Sequence, residues 1–183
     1  MGAVTLRSRR EVLRLAGGLA AGTLLGVRGA AAASRADGRA LSLYSINTGE
    51  HLAVEYYAEG EYQPEALAAV SRLLRDHVND QVHAIDPALL DQLCVVRDAL
   101  RTREAFHVVC GYRSPATNAM RRRQHGGVAG HSFHIAGRAV DVFLPGRDLR
   151  QLRTVALRLG DGGVGYYPHS GFVHLDTGPV RTW

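Results

Sequence analysis

The segments Ser132-Phe133-His134-Ile135-Ala136-Gly137-Arg138-Ala139-Val140-Asp141 and Phe172-Val173-His174-Leu175-Asp176 decide how this chain is interpreted. They supply two imidazoles and one carboxylate, from His134, His174 and Asp141. These are the ligand types of a catalytic zinc site, which leaves a fourth position for water. A structural site would add a fourth protein ligand, usually cysteine, and neither cysteine of the chain lies in these segments. The two segments therefore predict an open zinc site.

Both segments have the alternation of buried β-strands. Side chains alternate faces along a strand, so Asp141 points away from the valines on either side of it, and His174 and Asp176 share one face. A carboxylate in so apolar a segment needs a partner or a metal to offset its desolvation. Gly137 would let the backbone bend towards the ion. Each polar residue alone could be an ordinary hydrogen-bonded group near a core, but the combined spacing favours a metal site.

The other patterns predict one α+β domain, an antiparallel sheet with helices packed around it, over residues 41–183. Residues 34–40 are predicted to be a flexible lead-in. Predicted elements are a hairpin of residues 41–46 and 51–57, helices beginning at Pro64, Pro87, Pro115 and Leu149, a strand at 106–110, and a final hairpin near 164–167 and 171–175.

The first 33 residues are predicted to be an export signal. Ser8-Arg9-Arg10-Glu11-Val12-Leu13 resembles a twin-arginine motif, residues 15–27 are weakly apolar, and residues 30–33 offer an A-x-A cleavage site. The apolar run is too short and too rich in glycine for a secure membrane span. The expectation is a periplasmic protein with no stable span after processing, and the alternative is a disordered or retained N-terminal helix.

Charge gives little reason to expect a nucleic-acid partner. The chain has 22 basic and 17 acidic residues, but residues 1–33 hold five arginines and one glutamate, so the mature chain has 17 basic and 16 acidic residues. Every basic residue is arginine, which excludes a lysine nucleophile or Schiff base. Oligomeric state is left open, as is a disulfide between Cys94 and Cys110, since an oxidising compartment would permit one.

The pattern S-x-H-x-x-G-x-A-x-D with a later His resembles the LAS metallopeptidases, which include lysostaphin-type enzymes, D-alanyl-D-alanine metallopeptidases and the hedgehog domain. Gly111-Tyr112-Arg113-Ser114 and Gly162-Gly163-Val164-Gly165-Tyr166-Tyr167-Pro168 narrow the resemblance to the MepK-like murein endopeptidase branch. It covers residues 41–183. It implies zinc bound by His134, Asp141 and His174, and hydrolysis of peptidoglycan cross-link peptides, with the cross-link (D-alanyl-diaminopimelate or diaminopimelate-diaminopimelate) left open. The alternative is a non-catalytic zinc domain that binds peptidoglycan or a partner.

One departure from these relatives concerns the general base. Many D-alanyl-D-alanine metallopeptidases have a catalytic Glu where this chain has Gly171, and lysostaphin-type enzymes have a His where it has Phe172. The base must therefore come from elsewhere. Asp176 is the first candidate, because it shares a strand face with His174, and His169 is the fallback. The alternative for Asp176 is to orient a ligand imidazole.

Other candidates surround the predicted ligands. Arg113 follows a predicted strand and is expected to stabilise an oxyanion or bind a substrate carboxylate, as the resemblance also implies. The alternative is an arginine paired with a structural carboxylate. Ser132, Tyr112 and His131 are expected to contact substrate, although Ser132 could instead shape the loop. His131 lies close enough to His134 in sequence to reach the site as a proton shuttle or to contact a ligand residue.

Overall fold

The first hairpin forms where the alternating residues around Asn47-Thr48-Gly49 predict it. Strands β1 (Arg39–Ser45) and β2 (His51–Ala58) pair antiparallel, and Gly49 has the positive φ, 75°, that glycine adopts without strain. The computed structural model describes residues 38–124 and 129–183. The predicted signal and most of the lead-in lie outside the described residues, and β1 begins within the last residues assigned to that lead-in.

The remaining elements follow the predicted order, with two short strands and a 3₁₀ helix in addition. They are β3 (Glu61–Tyr62), α1 (Pro64–Leu73), α2 (Pro87–Ala99), β4 (Phe106–Cys110), α3 (Pro115–Gln124), the 3₁₀ helix Phe133–Ala136, β5 (Ala139–Phe143), α4 (Leu149–Leu159), β6 (Gly163–Tyr167), β7 (Phe172–Asp176) and β8 (Arg181–Thr182).

Local chemistry sets the helix ends. The Asp86 side chain accepts a hydrogen bond from the backbone N–H of Ala88 at 3.0 Å, which caps α2 just before its N-terminal proline. Asp148 caps α4 in the same way through the N–H of Arg150. Gly160 then ends α4 with a φ of 64°.

The strands form one sheet in the order β3-β2-β1-β4-β5-β7-β6-β8. The α+β class is confirmed, but the prediction of an antiparallel sheet was wrong at two places, because β1 pairs parallel to β4 and β6 pairs parallel to β8. The reason lies in the connections. The chain between β1 and β4 passes through β2, β3 and two helices, a crossover long enough to return in the same direction. β7 runs antiparallel to β6, and the chain reverses once more after β7. β8 therefore pairs with the other edge of β6 in the parallel direction.

The two faces of the sheet centre differ in chemistry. Val140 in β5 pairs with Leu175 in β7, and Val142 pairs with Val173; all four are buried. Helix α2 packs on β1 and on α4, and α4 packs on β6 and β7. These four residues of β5 and β7 are part of the hydrophobic core, which leaves the alternate residues of the two strands for the opposite face. Among the described residues, no helix is long and apolar enough to cross a membrane.

Candidate metal centre

Neighbouring strands bring polar residues into one row on the face opposite the core. Asp141 in β5 lies opposite His174 in β7 and opposite Cys110 in β4, and His174 lies opposite Gly165 in β6. Directly opposed residues project to the same side of a sheet. We call Cys110, Asp141, His174 and Gly165 the donor row.

The 3₁₀ helix positions His134 against this row. The Ser132 hydroxyl accepts a hydrogen bond from the His134 N–H at the start of the helix. Gly137 ends the helix in the left-handed region, with a φ of 66°, and a Cβ there would collide with the backbone oxygen of Ala84. This position therefore needs glycine both for its conformation and for its close contact with a neighbouring segment.

Donor atoms of three buried residues converge where His134 meets the middle of the donor row. His134 Nε2 lies 3.2 Å from His174 Nδ1 and 3.4 Å from Asp141 Oδ1, and His174 Nδ1 lies 2.8 Å from Asp141 Oδ1. Ligands bound tetrahedrally to zinc at about 2.0–2.2 Å stand roughly 3.3–3.6 Å from one another. The spacing of these three atoms therefore fits a single small cation with little movement.

Each imidazole is oriented by a hydrogen bond at its other nitrogen. His134 Nδ1 donates to the carbonyl oxygen of Gly111 at 2.7 Å, and His174 Nε2 donates to Asp176 Oδ2 at 3.0 Å. Both acceptors lack a hydrogen, so the protons are fixed on these two nitrogens. His134 Nε2 and His174 Nδ1 then have the lone pairs that a metal requires.

Asp176 contacts groups on the side of His174 that faces away from the convergent atoms. It is fully buried. Besides His174 it accepts hydrogen bonds from both terminal nitrogens of Arg181, at 2.7 and 3.0 Å, and from the N–H groups of Gly163 and Gly178. A carboxylate with both oxygens occupied in this way holds an imidazole in place. The geometry favours the orienting role for Asp176 over that of a base.

The same contacts shift the ionisation of the cluster. Burial acts to raise the pKa of Asp141, but the imidazoles of His134 and His174 outweigh it and hold that pKa well below its usual range. Burial acts to lower the pKa of both histidines, and the facing carboxylates outweigh it, so each pKa lies above its usual value. The pKa of Asp176 is likewise below its usual range, because its bonds to His174 and Arg181 outweigh burial.

A cavity of about 600 Å³ opens above the convergent atoms. Arg113, His131 and Ser132 line one part of it, and Phe172, Arg181 and Trp183 line another. The structure thus brings three of the predicted site residues to the cavity that contains the ligand candidates.

Arg113 has no carboxylate partner within residues 38–124 and 129–183. Its Nη1 contacts Asn118 Oδ1 at 3.3 Å, its Nη2 contacts the Cys110 sulfur at 3.4 Å, and its Nε is buried without a partner in the described structure. Its guanidinium is therefore available to an anionic group in the cavity.

Besides Asp176, two predicted residues lie apart from the cavity lining. Tyr112 is buried, stacks on His83 with ring centroids 4.8 Å apart, and its N–H donates to the oxygen of Leu74. His169 is exposed in the turn between β6 and β7. Neither is among the described residues that line the cavity. Gly171, in the same turn, has a φ of 78°, a conformation that disfavours any side chain at this position.

Three residues at the site were missed by the sequence analysis. Cys110 joins it because β4 is the neighbour of β5, and it offers its sulfur within 4.8 Å of ligand atoms of His134 and Asp141. Arg181 and Trp183 join it through β8, and the Trp183 ring centroid lies 5.3 Å from that of His174. Strand order, which local patterns do not give, was the missing information. Cys94 and Cys110 are both buried and free, so the possible disulfide is not formed.

Comparison with known proteins agrees with this geometry. The family model described as "Peptidoglycan L,D-endopeptidase MepK" matches residues 33–183. A protein of Haemophilus influenzae named "Probable peptidoglycan L,D-endopeptidase MepK" is 47% identical over 146 residues, which cover 79% of this chain and 78% of that protein. The peptidoglycan L,D-endopeptidase MepK of Escherichia coli K12 is 39% identical over 176 residues, covering 96% of this chain and 97% of that protein. The chain therefore belongs to the MepK family of LAS-type peptidases.

Proposed function

We propose that this protein is a zinc-dependent peptidoglycan endopeptidase that hydrolyses an amide bond in the peptide cross-links of murein. The observation that carries the proposal is the convergence of His134 Nε2, His174 Nδ1 and Asp141 Oδ1 below an open cavity. The names of the relatives favour an L,D-peptide bond as the target. Such a bond is the one we expect this protein to cut.

The chemistry of the donor set fits zinc. Two oriented imidazoles and one carboxylate are the usual ligand types of a catalytic zinc, and the donor spacing matches its bond lengths. When bound, zinc would polarise the scissile carbonyl and lower the pKa of water towards about 7. The residues of the chain must supply the remaining functions: substrate binding, charge stabilisation and proton transfer.

Arg113 is the proposed anion-binding residue. It lines the cavity, it has no carboxylate partner in the described structure, and its contacts with Asn118 and Cys110 leave one further N–H on each terminal nitrogen for substrate. A guanidinium can bind a peptide carboxylate with two parallel hydrogen bonds or stabilise the oxyanion formed during amide hydrolysis. Either interaction would fix the scissile bond above the ligand residues.

His131 is the proposed proton acceptor. Asp176 is held by four groups, and His169 lies outside the cavity lining. Among the described residues, His131 is the one histidine of the lining besides the two ligand candidates. An imidazole nitrogen of His131 can take a proton during attack and return it to the leaving amine, the role that histidine most often has in general acid–base catalysis. This assignment replaces the first candidate from the sequence, Asp176, and its fallback.

Incubation with isolated peptidoglycan sacculi tests the proposal. The mature protein should release soluble muropeptides, a chelator should stop the release, and added zinc should restore it. Mass spectrometry of the products identifies the bond that is cut. Binding to sacculi without any new amine or carboxyl terminus, with zinc present, would instead establish the non-catalytic binding domain.

We also propose export by the twin-arginine route. A peptidoglycan substrate supports export, and the arginine pair in the predicted signal at residues 1–33 supports this route. The receptor reads the arginine pair, and lysine does not replace arginine at such sites. The change Arg9→Lys/Arg10→Lys should leave the precursor in the cytoplasm. Normal processing and delivery to the periplasm would indicate the general secretory route.

A further inference from the structure

Aromatic side chains form a further row on the sheet face that contains the donor row. Tyr44 in β1 lies opposite His107 in β4, and His107 lies opposite Phe143 in β5. On the other side of β5, Phe172 in β7 lies opposite Tyr167 in β6. Phe143 and Phe172 occupy the next positions beyond the last paired residues of the neighbouring strands β5 and β7, which completes the row across five strands. We call these five residues the aromatic row.

The aromatic row begins at the cavity and leads away from it. Phe143 and Phe172 stand two positions from Asp141 and His174 in their strands, and side chains two positions apart share a face. The aromatic row therefore lies about 7 Å from the donor row along the strands. Phe172 and Tyr167 line the cavity, and the other three members continue across β5, β4 and β1.

The rings of the aromatic row touch one another and remain partly exposed. Ring centroids lie 4.7 Å apart for Tyr44 and His107, 5.0 Å for His107 and Phe143, and 4.7 Å for Tyr167 and Phe172. With strands about 4.8 Å apart, the row spans about 19 Å. Cross-strand aromatic pairs also stabilise a sheet, but these rings lie outside the hydrophobic core and keep part of their surface in solvent.

We propose that the aromatic row binds the glycan strand of peptidoglycan while the cross-link peptide occupies the cavity. The inference rests on the proposed function for its substrate and extends it from the peptide to the glycan. Sugar rings present flat faces of C–H groups that stack on aromatic rings. The cross-link residues alanine and diaminopimelate offer only a methyl group or charged groups, so they have no matching surface for a long strip of rings.

Binding of the glycan would act on substrate affinity rather than on the chemical step. The glycan strand is covalently joined to the stem peptides, so holding it at the row raises the effective concentration of the cross-link at the cavity. The row should therefore lower KM for glycan-bearing murein and leave kcat unchanged. Cross-linked peptides without glycan should be cut with a higher KM.

Murein glycan strands stripped of their peptides by an amidase test this inference by binding alone. The mature wild-type protein should bind them, and Tyr44→Thr/His107→Thr should weaken the binding by about 10-fold, because two rings are lost and threonine is retained well in strands. Neither residue is among the described residues that line the cavity, so hydrolysis of glycan-free cross-linked peptides should keep its wild-type rate.

Tyr57→Thr is the matched control, since Tyr57 is a partly exposed tyrosine of β2 outside the row, and its glycan affinity should equal that of the wild-type protein. Ring-proton NMR of the wild-type protein is a second measurement that does not depend on the folding of any variant. The glycan strands should shift the signals of Tyr44 and His107 and leave those of Tyr57 unchanged.

The outcomes separate this inference from the proposed function. A wild-type protein that cuts glycan-free peptides but does not bind glycan strands, or equal weakening in the control and the double variant, would overturn the inference and leave the peptidase intact. Glycan strands that shift no signal of Tyr44 or His107 would overturn it as well. A wild-type protein that binds glycan strands through the row but cuts no cross-link would overturn the proposed function and keep the glycan site.

Discussion

Two adjacent rows of residues on one face of the sheet each contain an aspartate, but the two aspartates have different partners and different expected roles. The donor row holds Asp141 and His174, whose ligand atoms face the cavity. The next row, which we call the support row, consists of Ala139, Asp176, Gly163 and Arg181 in successive neighbouring strands. Its aspartate, Asp176, is fully buried and accepts hydrogen bonds from His174, from Arg181 and from two backbone N–H groups.

The difference between Asp141 and Asp176 arises from their partners rather than from their chemistry. Both carboxyl groups have a pKa below the usual range, so both are ionised at neutral pH. Asp141 faces two imidazole nitrogens that can bind a metal, whereas Asp176 faces an N–H of His174 and a guanidinium. The donor row is therefore expected to bind the cation, and the support row to fix the direction of one ligand.

The largest expected effect comes from breaking the donor row. The double change His134→Ala/His174→Ala removes both imidazoles and should abolish murein hydrolysis and zinc retention. Elemental analysis of the purified variant, together with release of muropeptides from sacculi, measures both. Stoichiometric zinc in the folded double variant would contradict the assignment of these residues as ligands.

The next largest effect on hydrolysis is expected from a residue outside both rows. His131→Gln should lower kcat by about 10²–10⁴ while zinc stays bound, because it removes the proposed proton acceptor and no ligand. His169→Gln is the matched control, since His169 is exposed and lies outside the described lining of the cavity. If His169→Gln loses the activity and His131→Gln keeps it, the two roles are reversed.

Changing the support row should weaken the metal rather than stop the chemistry. Asp176→Asn removes the carboxylate that orients His174, and loss of such a partner lowers metal affinity by about 10–100-fold. With saturating zinc, turnover should remain near the wild-type value. The measurement is a zinc titration paired with hydrolysis at full metal loading. A 10²-fold or greater loss of kcat at full loading would instead make Asp176 the base.

Local sequence was sufficient to place Asp141 and His174 of the donor row, but not to identify the contacts of the support row. The predicted alternation in residues 139–143 and 172–176 places Asp141 and His174 on one side of their strands, and the structure has this arrangement. Period-2 alternation also placed Asp176 on that face. It could not show that a further strand, β8, lies beyond β6 and brings Arg181 to Asp176.

The same limit explains Cys110 and the sheet direction. A strand such as Phe106–Cys110 has no local feature that identifies its neighbour, because pairing is decided by the packing of the whole domain. The helix starts could be predicted because a proline after a capping aspartate, as at Asp86, is a local signal. Residues whose role depends on distant strand pairing could not.

Protons should compete with the cation at the donor row. Without metal, the raised pKa values of His134 and His174 keep protons on these imidazoles above their usual titration range. Metal binding must displace protons, so affinity should rise with pH until both raised pKa values are passed. Calorimetric zinc titrations near pH 7 in buffers of different ionisation enthalpy should show proton release; heats independent of the buffer would contradict this.

The stability of the metal-free protein should depend on pH in the opposite direction. The interaction of protonated His134 and His174 with the carboxylates is fully present below the unfolded histidine pKa of about 6.5, and it is lost as pH rises through the higher folded values. Asp141 and Asp176 contribute above their unfolded pKa of about 3.9, and they lose this as pH falls through their lowered values. Denaturant unfolding of the metal-free protein, measured from below the unfolded aspartate pKa to above the unfolded histidine pKa, tests both contributions to stability.

The smallest expected effects come from two glycines of β6, one in each row. A Cβ at Gly163 would collide with the Asp176 carboxylate and lie 2.6 Å from Arg181 Nη1, whereas a Cβ at Gly165 would lie 2.7 Å from the ring of Trp183. Asp176 is fully buried and cannot move aside, but Trp183 is 47% exposed and can.

Gly163→Ala should therefore destabilise the fold by about 1–3 kcal/mol and weaken zinc retention. Gly165→Ala should cost less than about 1 kcal/mol. Trp183 is the single tryptophan of the chain, so its fluorescence should shift in Gly165→Ala as the ring moves from His174 towards solvent. Equal loss of stability in the two variants would show that the support row is no more rigid than the donor row.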